Sequence, residues 1–512
     1  AAMILFVLLN LMVRIERTQI GLLKAFGYSN RAVAFHYIEY GFILGVLGCL
    51  SGFIVGQWMA NGLIRMYVEF YQFPILESRI YPEVLFRSMG ITMVFSLLGA
   101  LSAALRAAAI QPAEAMRPEA PQAAHKTLLE YFPAVWTRLA FTWKMILRNL
   151  ERNRVRAMLS ISGVAVSMGL LIMGYCMLDA MDYMLDFQFR EVQREDLRVA
   201  FQREHGKETL YDIERFDHVR RAEPVLEYPF TMHAGWRKKD TVVTGLPADA
   251  ELKRLINVDG QEVAIESTGL VLSDKLAREL AVGPGDTVLL KPLMGRIKKE
   301  KSVTVSRVAQ QYLGSGAYMD IEALSRILDE PFVMNAVLLR TEEGSALEVK
   351  EHLKGIADIA SVAFADEVLQ SLLSTLAQSM KMMNVTMLIF AGVIAFSIIY
   401  NVTSVALAER ERELASLRVL GLTTAEVGRI MYYENFLLGA MGILAGIPVG
   451  YGISKWLITM YDTDLFRMPF YINNRTYIWC AVITGIFVIM ANGAVWRKVR
   501  RLDLIEVLKE RE

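Results

Sequence analysis

The sequence contains few of the residues from which metal and redox sites are built. Its 512 residues include three cysteines and six histidines, and their spacing fits no zinc or redox motif. A Gly-x-x-x-x-Gly-Lys-Ser/Thr phosphate loop is also missing, so we expect the chain not to hydrolyse ATP itself. With 55 Lys and Arg against 54 Asp and Glu, the net charge of +1 gives no basis for nucleic-acid binding. We therefore expect this chain to have no enzymatic activity of its own and to bind no metal ion or cofactor.

Charge is missing from six long apolar blocks, each close to the length that crosses about 30 Å of hydrocarbon. The whole chain is 54% hydrophobic and 21% charged. Ionisable residues at mid-membrane, which ion-coupled carriers need, are nearly absent, and this disfavours a secondary transporter. A shorter apolar run opens the chain, and we interpret it as a transmembrane helix cut by the start of a fragment. The six blocks are Tyr40–Ile64, Ser88–Leu105, Ala157–Leu178, Thr386–Ala408, Asn435–Ser454 and Tyr477–Trp496.

Lysine and arginine cluster in alternate connections between these blocks. By the positive-inside rule, residues 14–35, 106–156, 409–431 and the C-terminal end are cytoplasmic, and residues 180–385 lie outside. The sequence therefore predicts a multi-pass α-helical protein of the cytoplasmic (inner) membrane with a large extracytoplasmic α+β domain.

The membrane part contains an internal repeat. Residues 19–27 (QIGLLKAFG) match residues 413–421 (ELASLRVLG). A glutamate, Glu39 or Glu434, follows in each copy, and it either snorkels to the interface or braces the matched segment. Glycines at three- and four-residue steps permit close helix packing. At the same offset the two glycine ladders align Gly45, Gly48, Gly52 and Gly56 with Gly439, Gly442, Gly446 and Gly450.

This repeat resembles the FtsX-like permease family, the membrane subunits of type VII ABC transporters of the MacB, LolC and LolE type. Each copy ends in a short tail, residues 110–117 or 502–509, as in that family. Residues 143–171 resemble its amphipathic elbow helix and first span, and residues 269–288 resemble part of the MacB-like periplasmic domain. The resemblance covers nearly the whole chain and identifies a two-module member. The first module lacks its elbow helix, first span and outer domain.

The resemblance implies a permease subunit that couples ATP hydrolysis by a separate cytoplasmic ABC ATPase dimer to movement outside the membrane. The implied transport is export or extraction of a hydrophobic substrate such as a lipoprotein, lipid, peptide or drug. The alternative is a non-transporting transmembrane regulator of an envelope enzyme or sensor. The resemblance also implies further partners, namely membrane lipids and a periplasmic or outer-membrane protein.

The same resemblance divides the chain into five parts. Residues 1–117 form the first transmembrane module, truncated at its start and with about three helices. Residues 118–142 are a cytoplasmic linker, and residues 143–185 form the elbow helix, a transmembrane helix and a stalk. Residues 186–378 form the extracytoplasmic domain, with an insertion at about 247–330, and residues 379–512 form the second module of three helices.

The candidate ATPase-coupling site lies in the amphipathic cytoplasmic segments 14–31 and 409–427. Leu22, Leu23 and Phe26 share one face of the first segment. The positive-inside rule alone explains the cations of both segments, but not the acids of the second. The resemblance implies docking of these segments on the ATPase, and the expected contact residues are Gln19, Lys24, Gly27, Glu411, Glu413, Arg418 and Gly421.

A second candidate surface is the elbow helix. Lys144, Arg148, Arg152 and Arg156 follow one another at four-residue steps, which predicts one basic stripe on an interfacial helix. Such a stripe attracts anionic lipid. It serves either as a topology anchor alone or also as a contact to the ATPase.

The outer domain is expected to be entered and left by helices continuous with the membrane spans. Apolar residues at helical spacing predict a paired stalk, which either transmits movement or only packs. Beyond it, strands at 196–202, 224–245, 336–341 and 359–365 predict a split βαβ fold. Helices are expected at Thr209–Ala222 and Ser345–Ile356, and further strands in the insertion near a Gly283–Asp286 turn.

Overall fold

The computed structural model of the chain describes residues 5–6, 9–10, 12–13, 16–70, 79–115, 130, 136–152, 154–294, 300–312, 316–409, 421, 423–460 and 467–501. The chain divides into two compact units. The first, here called the membrane unit, comprises Ala1–Met173, Val385–Gly452 and Arg475–Glu512. The second, the outer unit, comprises Gly174–Asn384 and Ile453–Asn474.

The predicted spans are confirmed, because six helices of the described chain are long and apolar enough to cross a membrane. They are α2, α3, α6, α11, α12 and α13 in the following numbering. The helices are α1 (Arg17–Ala25), α2 (Asn30–Phe70), α3 (Pro82–Ala109), α4 (Pro112–Ala115), α5 (Phe141–Arg152), α6 (Arg154–Asp186), α7 (Lys207–Glu214), α8 (Asp274–Leu280), α9 (Ile321–Ile327), α10 (Ala346–Lys354), α11 (Ala365–Glu409), α12 (Thr424–Met460) and α13 (Asn474–Arg501).

Helices α2 and α3 pack through small residues in the first module. A Cβ added at Gly41 would lie 2.5 Å from the Cβ of Ala100. Ser96 donates a hydrogen bond of 2.6 Å from its hydroxyl to the Gly41 carbonyl. A larger side chain at Gly41 would therefore force these two helices apart.

The glycine ladder of the second module packs against two other helices. A Cβ at Gly439 would meet Val488 of α13 at 2.7 Å. The next three ladder glycines face α6, where added Cβ atoms at Gly442, Gly446 and Gly450 would lie 2.5–2.7 Å from Val164, Met168 and Ile172. The i, i+4, i+8 spacing on both helices lets one ridge lie in the opposite groove.

The outer unit begins with a sheet of four antiparallel strands. Among the described residues the strands are β1 (Leu197–His205), β2 (Val219–Ala234), β3 (Arg237–Leu246), β4 (Leu270–Ser273), β5 (Thr287–Pro292), β6 (Lys301–Ala309), β7 (Ala317–Asp320), β8 (Met334–Thr341) and β9 (Ile359–Phe364). The order β2-β8-β1-β9, with α7 after β1 and α10 after β8, is that of a split βαβ fold. The prediction of this topology is confirmed.

Strand β2 is long enough to belong to two sheets. Its first half pairs with β8, and its second half pairs with β3 on one side and β5 on the other. The strands of the insertion then close a six-stranded ring in the order β2-β3-β7-β4-β6-β5. Alternate residues point into this ring, which is why β5 alternates exposed and buried positions. Its fully buried residues include Phe230, Met232, Leu272, Leu290 and Val305.

One expected helix is shorter than the sequence indicated. Helix α7 ends at Glu214, and residues from Val219 onward belong to β2, so the expected helix at Thr209–Ala222 is wrong in its second half. His218 lies between them in the left-handed region, with φ of +68°. The helix stops there because Val219 pairs with Thr341 of β8.

The stalk prediction is only partly tested. Helices α6 and α11 each continue beyond their apolar spans, as expected, and α6 ends in a π-helical turn at Phe187–Val192. The side chains at 372–383, which were expected to line the returning stalk helix, lie outside the described part of the structure. Pairing of the stalk therefore stays a prediction.

Candidate functional site

Lys24 fastens helix α1 to the end of span α3. Its ammonium group donates hydrogen bonds of 2.9, 2.8 and 2.9 Å to the carbonyls of Ala107, Ala108 and Ile110. These carbonyls lie at a helix C-terminus, where internal donors are missing and positive charge is favourable. Burial lowers the pKa of Lys24 from its usual 10.5. All three ammonium hydrogens have acceptors within the first module, so this residue positions α1.

The rest of α1 has one buried and one exposed face. Ile20 and Gly21 are buried, and a Cβ at Gly21 would overlap Ala115 of α4. The opposite face follows the i, i+3, i+4, i+7 spacing of a single helical stripe. It is formed by Gln19, Leu22, Leu23 and Phe26, and all four are exposed, Phe26 at 75%.

A glycine in the left-handed conformation ends α1. The Gly27 N–H donates to the Lys24 carbonyl, and the Tyr28 N–H donates to the Leu23 carbonyl at 3.2 Å. These two bonds form a Schellman motif, which needs positive φ at the glycine. Gly27 has φ of +97°, and Gly421, its counterpart in the repeat, has φ of +99°. Gly27 therefore ends α1, while its expected contact with an ATPase stays a prediction.

A hydroxyl residue begins the next span two positions after each glycine. The Ser29 hydroxyl accepts the Ala32 N–H at 3.2 Å at the start of α2. At the start of α12 the Thr423 hydroxyl accepts the Glu426 N–H, and the Glu426 carboxylate accepts the Thr423 N–H at 2.8 Å. This is a capping box, and the bond to the Thr423 backbone lowers the pKa of Glu426.

Sequence reasoning missed these two caps, although their signal was present. Ser29 and Thr423 occupy the same place in the repeat, two residues after the matched glycines. The glycine and the cap together form what we call the joint, Gly27 with Ser29 and Gly421 with Thr423. Because the glycine and the cap recur at the same offset, spans α2 and α12 both begin two residues after a left-handed glycine.

The elbow helix α5 carries only part of the predicted basic stripe. Arg148 pairs with Glu130 at 2.8 Å and lies 5.4 Å from the ring centre of Trp136. Lys144 lies 5.9 Å from the same ring, and Arg152 is exposed at the end of the helix. These three cations share α5, as expected.

Arg156, the fourth cation of the predicted stripe, lies on α6. Residue 153, between Arg152 of α5 and Arg154 of α6, lies outside the described residues, so one continuous stripe from Lys144 to Arg156 stays a prediction. Arg156 lies 3.6 Å from the carboxylate of Glu434 on α12. Asn149 of α5 donates to the same carboxylate at 2.5 Å. Glu434 is buried, and it therefore ties the elbow helix to the start of α12.

The remaining predicted residues divide into two groups. Glu39, the first-module relative of Glu434, is exposed on α2, so the two glutamates are not equivalent. Glu411, Glu413 and Arg418 lie outside the described residues, and their contacts with an ATPase stay a prediction. No group of three or more His, Cys, Asp or Glu suited to a metal ion occurs among the residues that the structure describes.

Comparison with known protein families accounts for both units. The FtsX-like permease C-terminal family matches residues 1–112 and 385–504, and the MacB-like periplasmic core domain matches residues 157–356. The chain belongs to the FtsX-like permease family. Members of this family are membrane subunits of type VII ABC transporters, and this member is a multi-pass inner-membrane protein with a MacB-like domain outside.

Individual relatives of this FtsX-like permease are distant. It is 25% identical over 211 residues to the lipoprotein-releasing system transmembrane protein LolC of Haemophilus influenzae. That match covers 38% of the chain, and the chain spans about half the length of this relative, 50%.

Two solved domains are similar at lower identity. The periplasmic region of MacB from Actinobacillus actinomycetemcomitans is 10% identical, and 37% of this chain covers 97% of it with a TM-score of 0.27. The extracellular domain of YknZ, described as a noncanonic ABC-type transporter from Gram-positive bacteria, is 13% identical, and 32% of this chain covers 99% of it with a TM-score of 0.25.

A loop of the FtsX-like permease that sequence reasoning did not single out belongs to the outer unit. In the connection between α12 and α13, the Arg467 N–H donates to the Tyr312 carbonyl at 2.8 Å. The same arginine donates from its guanidinium to Asp274 at 3.2 Å. Tyr471 stacks on Tyr183 with ring centres 4.7 Å apart. This loop is thereby fixed to the outer domain at several points.

Proposed function

We propose that this permease docks a separate cytoplasmic ABC ATPase on helix α1 and on its counterpart in the second module. The observation that carries the proposal is the exposed stripe of Leu22, Leu23 and Phe26 on a helix whose other face is fixed. An apolar stripe at i, i+3, i+4 and i+7 spacing is the pattern by which a helix lies in a partner's groove. Gln19 completes the stripe with a polar contact.

The attachment of α1 supports a mechanical role for this helix. The Schellman joint at Gly27 connects it directly to α2, and Lys24 bonds it to the end of α3. A displacement of α1 by the ATPase would therefore act on two spans together. The absence of a phosphate loop from this sequence agrees with hydrolysis on a separate subunit.

We further propose that the movement drives export or extraction of a hydrophobic substrate outside the membrane. Two observations support this direction. The extracytoplasmic domain is MacB-like, and the relative LolC is a transmembrane protein of a lipoprotein-releasing system.

The test of docking is co-purification of the full-length protein with an ABC ATPase from its native membranes. Phe26→Ser combined with Leu23→Ser removes two of the three apolar residues of the exposed stripe and leaves the buried face of α1 intact. We expect the ATPase, identified by mass spectrometry, to accompany the wild type and to fall by about tenfold or more in the variant, because two apolar anchors are lost.

The matched control is Tyr211→Ser, which removes an exposed aromatic ring from the outer unit. This variant should retain the ATPase. Equal recovery of ATPase with all three proteins, or no ATPase with the wild type under any nucleotide condition, would contradict docking through α1.

A further inference from the structure

The tip of the β2–β3 hairpin places a fully exposed tryptophan on the outer unit. Trp236 is 88% exposed on a two-residue turn, and Gly235 supplies the positive φ of +58° that this turn needs. Arg237 lies 5.0 Å from the ring centre and donates to the Glu279 carbonyl at 2.9 Å, at the end of α8. The indole is therefore held against an anchored cation and still faces solvent.

The sheet face beside this turn combines exposed apolar residues with exposed lysines. His233 of β2 pairs with Lys238 of β3 and with Leu289 of β5, so the three side chains form one row on this face. Lys238 is exposed and has no ion-pair partner within the described part of the chain.

The next row of the same face contains the second cation. Thr231 pairs with Asp240 on β3 and with Lys291 on β5. The Asp240 carboxylate accepts the Thr231 hydroxyl at 2.6 Å, and Lys291 lies 3.5 Å from Glu300 in a solvent-exposed pair, which contributes little. From strand spacing and residue rise, Lys238 and Lys291 lie about 12 Å apart, a gap that two lysine side chains can close on one phosphate.

The far end of this face is apolar again. Leu293 is 52% exposed and Met294 is 66% exposed. Their backbone is pinned to β2, since the Leu293 N–H donates to the Pro229 carbonyl at 3.0 Å and Tyr228 donates to the Met294 carbonyl at 2.8 Å. Apolar side chains thus flank the two lysines from both ends.

We propose that this face, here called the hairpin face, binds an anionic membrane lipid. Lys238 and Lys291 hold the phosphate, while Trp236, Leu289, Leu293 and Met294 contact the acyl chains. An anionic amphiphile matches both features at once, because it carries negative charge beside hydrocarbon. Tryptophan is also the side chain that favours the boundary between headgroup and hydrocarbon. Binding of the lipid to this face does not depend on the proposed function. The proposed function is needed only for the further step that the bound lipid, or a lipid-linked molecule, is the substrate.

The experiment uses the full-length protein in phosphatidylcholine nanodiscs and needs no ATPase. Short-chain phosphatidylglycerol with a photoreactive acyl chain is the probe, and the equivalent phosphatidylcholine is the comparison probe. We expect the anionic probe to label peptides around Trp236 and Leu289–Met294, as located by mass spectrometry. Labelling should fall by about tenfold or more in Lys238→Glu with Lys291→Glu, because each cation near an anionic group strengthens binding several-fold.

Two further variants keep this test specific. Trp236→Ala should also reduce labelling. Because the ring is exposed, this variant should unfold at the wild-type temperature in a thermal melt. Lys207→Glu with Lys354→Glu introduces the same charge change at exposed positions elsewhere on the unit and should label like the wild type.

Three results would overturn the proposal. They are equal labelling of the hairpin face by both probes, retained labelling in the double lysine variant, and no labelling of this face at all. Any of them would leave ATPase docking on α1 untouched, since that is measured by co-purification. Absence of the ATPase from the purified wild type, with lipid labelling retained, would count against the docking proposal alone.

Discussion

At the scale of single residues, buried and half-buried polar side chains fasten one segment of this protein to another. Lys24 bonds α1 to the end of α3, and Glu434 receives Asn149 from the elbow helix. In the outer unit, the Glu223 carboxylate accepts the backbone N–H groups of residues 251 and 252 and so fixes the start of the insertion to β2. Each of these bonds joins distant parts of the sequence, so removing one partner leaves the other buried without a bond.

Lys24→Met is expected to destabilise the first module. The variant keeps most of the aliphatic side chain but leaves three carbonyls at the end of α3 without their donor. A loss of about 1–3 kcal/mol in unfolding free energy should follow. Thermal unfolding of the purified protein in detergent measures it.

Gln19→Met on the exposed face of the same helix is the control for Lys24→Met. It changes no described hydrogen bond and should unfold close to the wild type. If both variants unfolded at the wild-type temperature, the three lysine bonds would have no structural role.

At the scale of elements, the two glycine ladders differ in what covers them. The second ladder faces Val488 and the ridge of α6, as described above. In the first, no described atom lies within 4 Å of a Cβ built at Gly48, Gly52 or Gly56. Similar sequence patterns on α2 and α12 thus have different neighbours.

Gly446→Leu should be strongly destabilising, whereas Gly52→Leu should be tolerated. The side chain introduced by Gly446→Leu would overlap Met168, and overpacking of this kind costs about 1–3 kcal/mol or more in unfolding free energy. Gly52 occupies the corresponding ladder position with open space around it. Thermal stability by fluorescence-detected size-exclusion chromatography compares the two variants under one condition.

Equal loss of stability in both glycine variants would show that intrinsic helix and membrane effects of leucine outweigh packing. A stable Gly446→Leu protein would contradict the close approach of α12 and α6.

At the scale of the whole molecule, one chain contains both copies of the joint. Gly27 and Gly421 share a left-handed backbone, and Ser29 and Thr423 cap the following spans. An ATPase dimer has two equivalent surfaces, which the two proposed docking segments of one chain would match.

The expected stoichiometry is one permease chain to two ATPase subunits. Native mass spectrometry of the complex, extracted in mild detergent, measures this ratio directly. A complex with two permease chains per ATPase dimer would instead indicate that each chain supplies only one working docking segment.

Much of the architecture follows from the sequence alone, because its causes are local. Charge-free blocks of sufficient length have to span a membrane as helices, since backbone groups find no other partners in lipid. Matched glycines and alternating strand patterns report backbone conformation and periodicity over a few residues, and so they located the glycines of the two joints and the split βαβ order.

Other features depend on contacts between distant residues, and only the tertiary structure decided them. The sequence offers Lys24 as a partner contact, whereas packing brings it to three carbonyls more than eighty residues away. It offers Glu39 and Glu434 as equivalents, whereas only Glu434 meets Asn149 and Arg156 in a buried site. The reason is that a side chain's role in electrostatics and burial is set by what surrounds it in space, which local pattern does not contain.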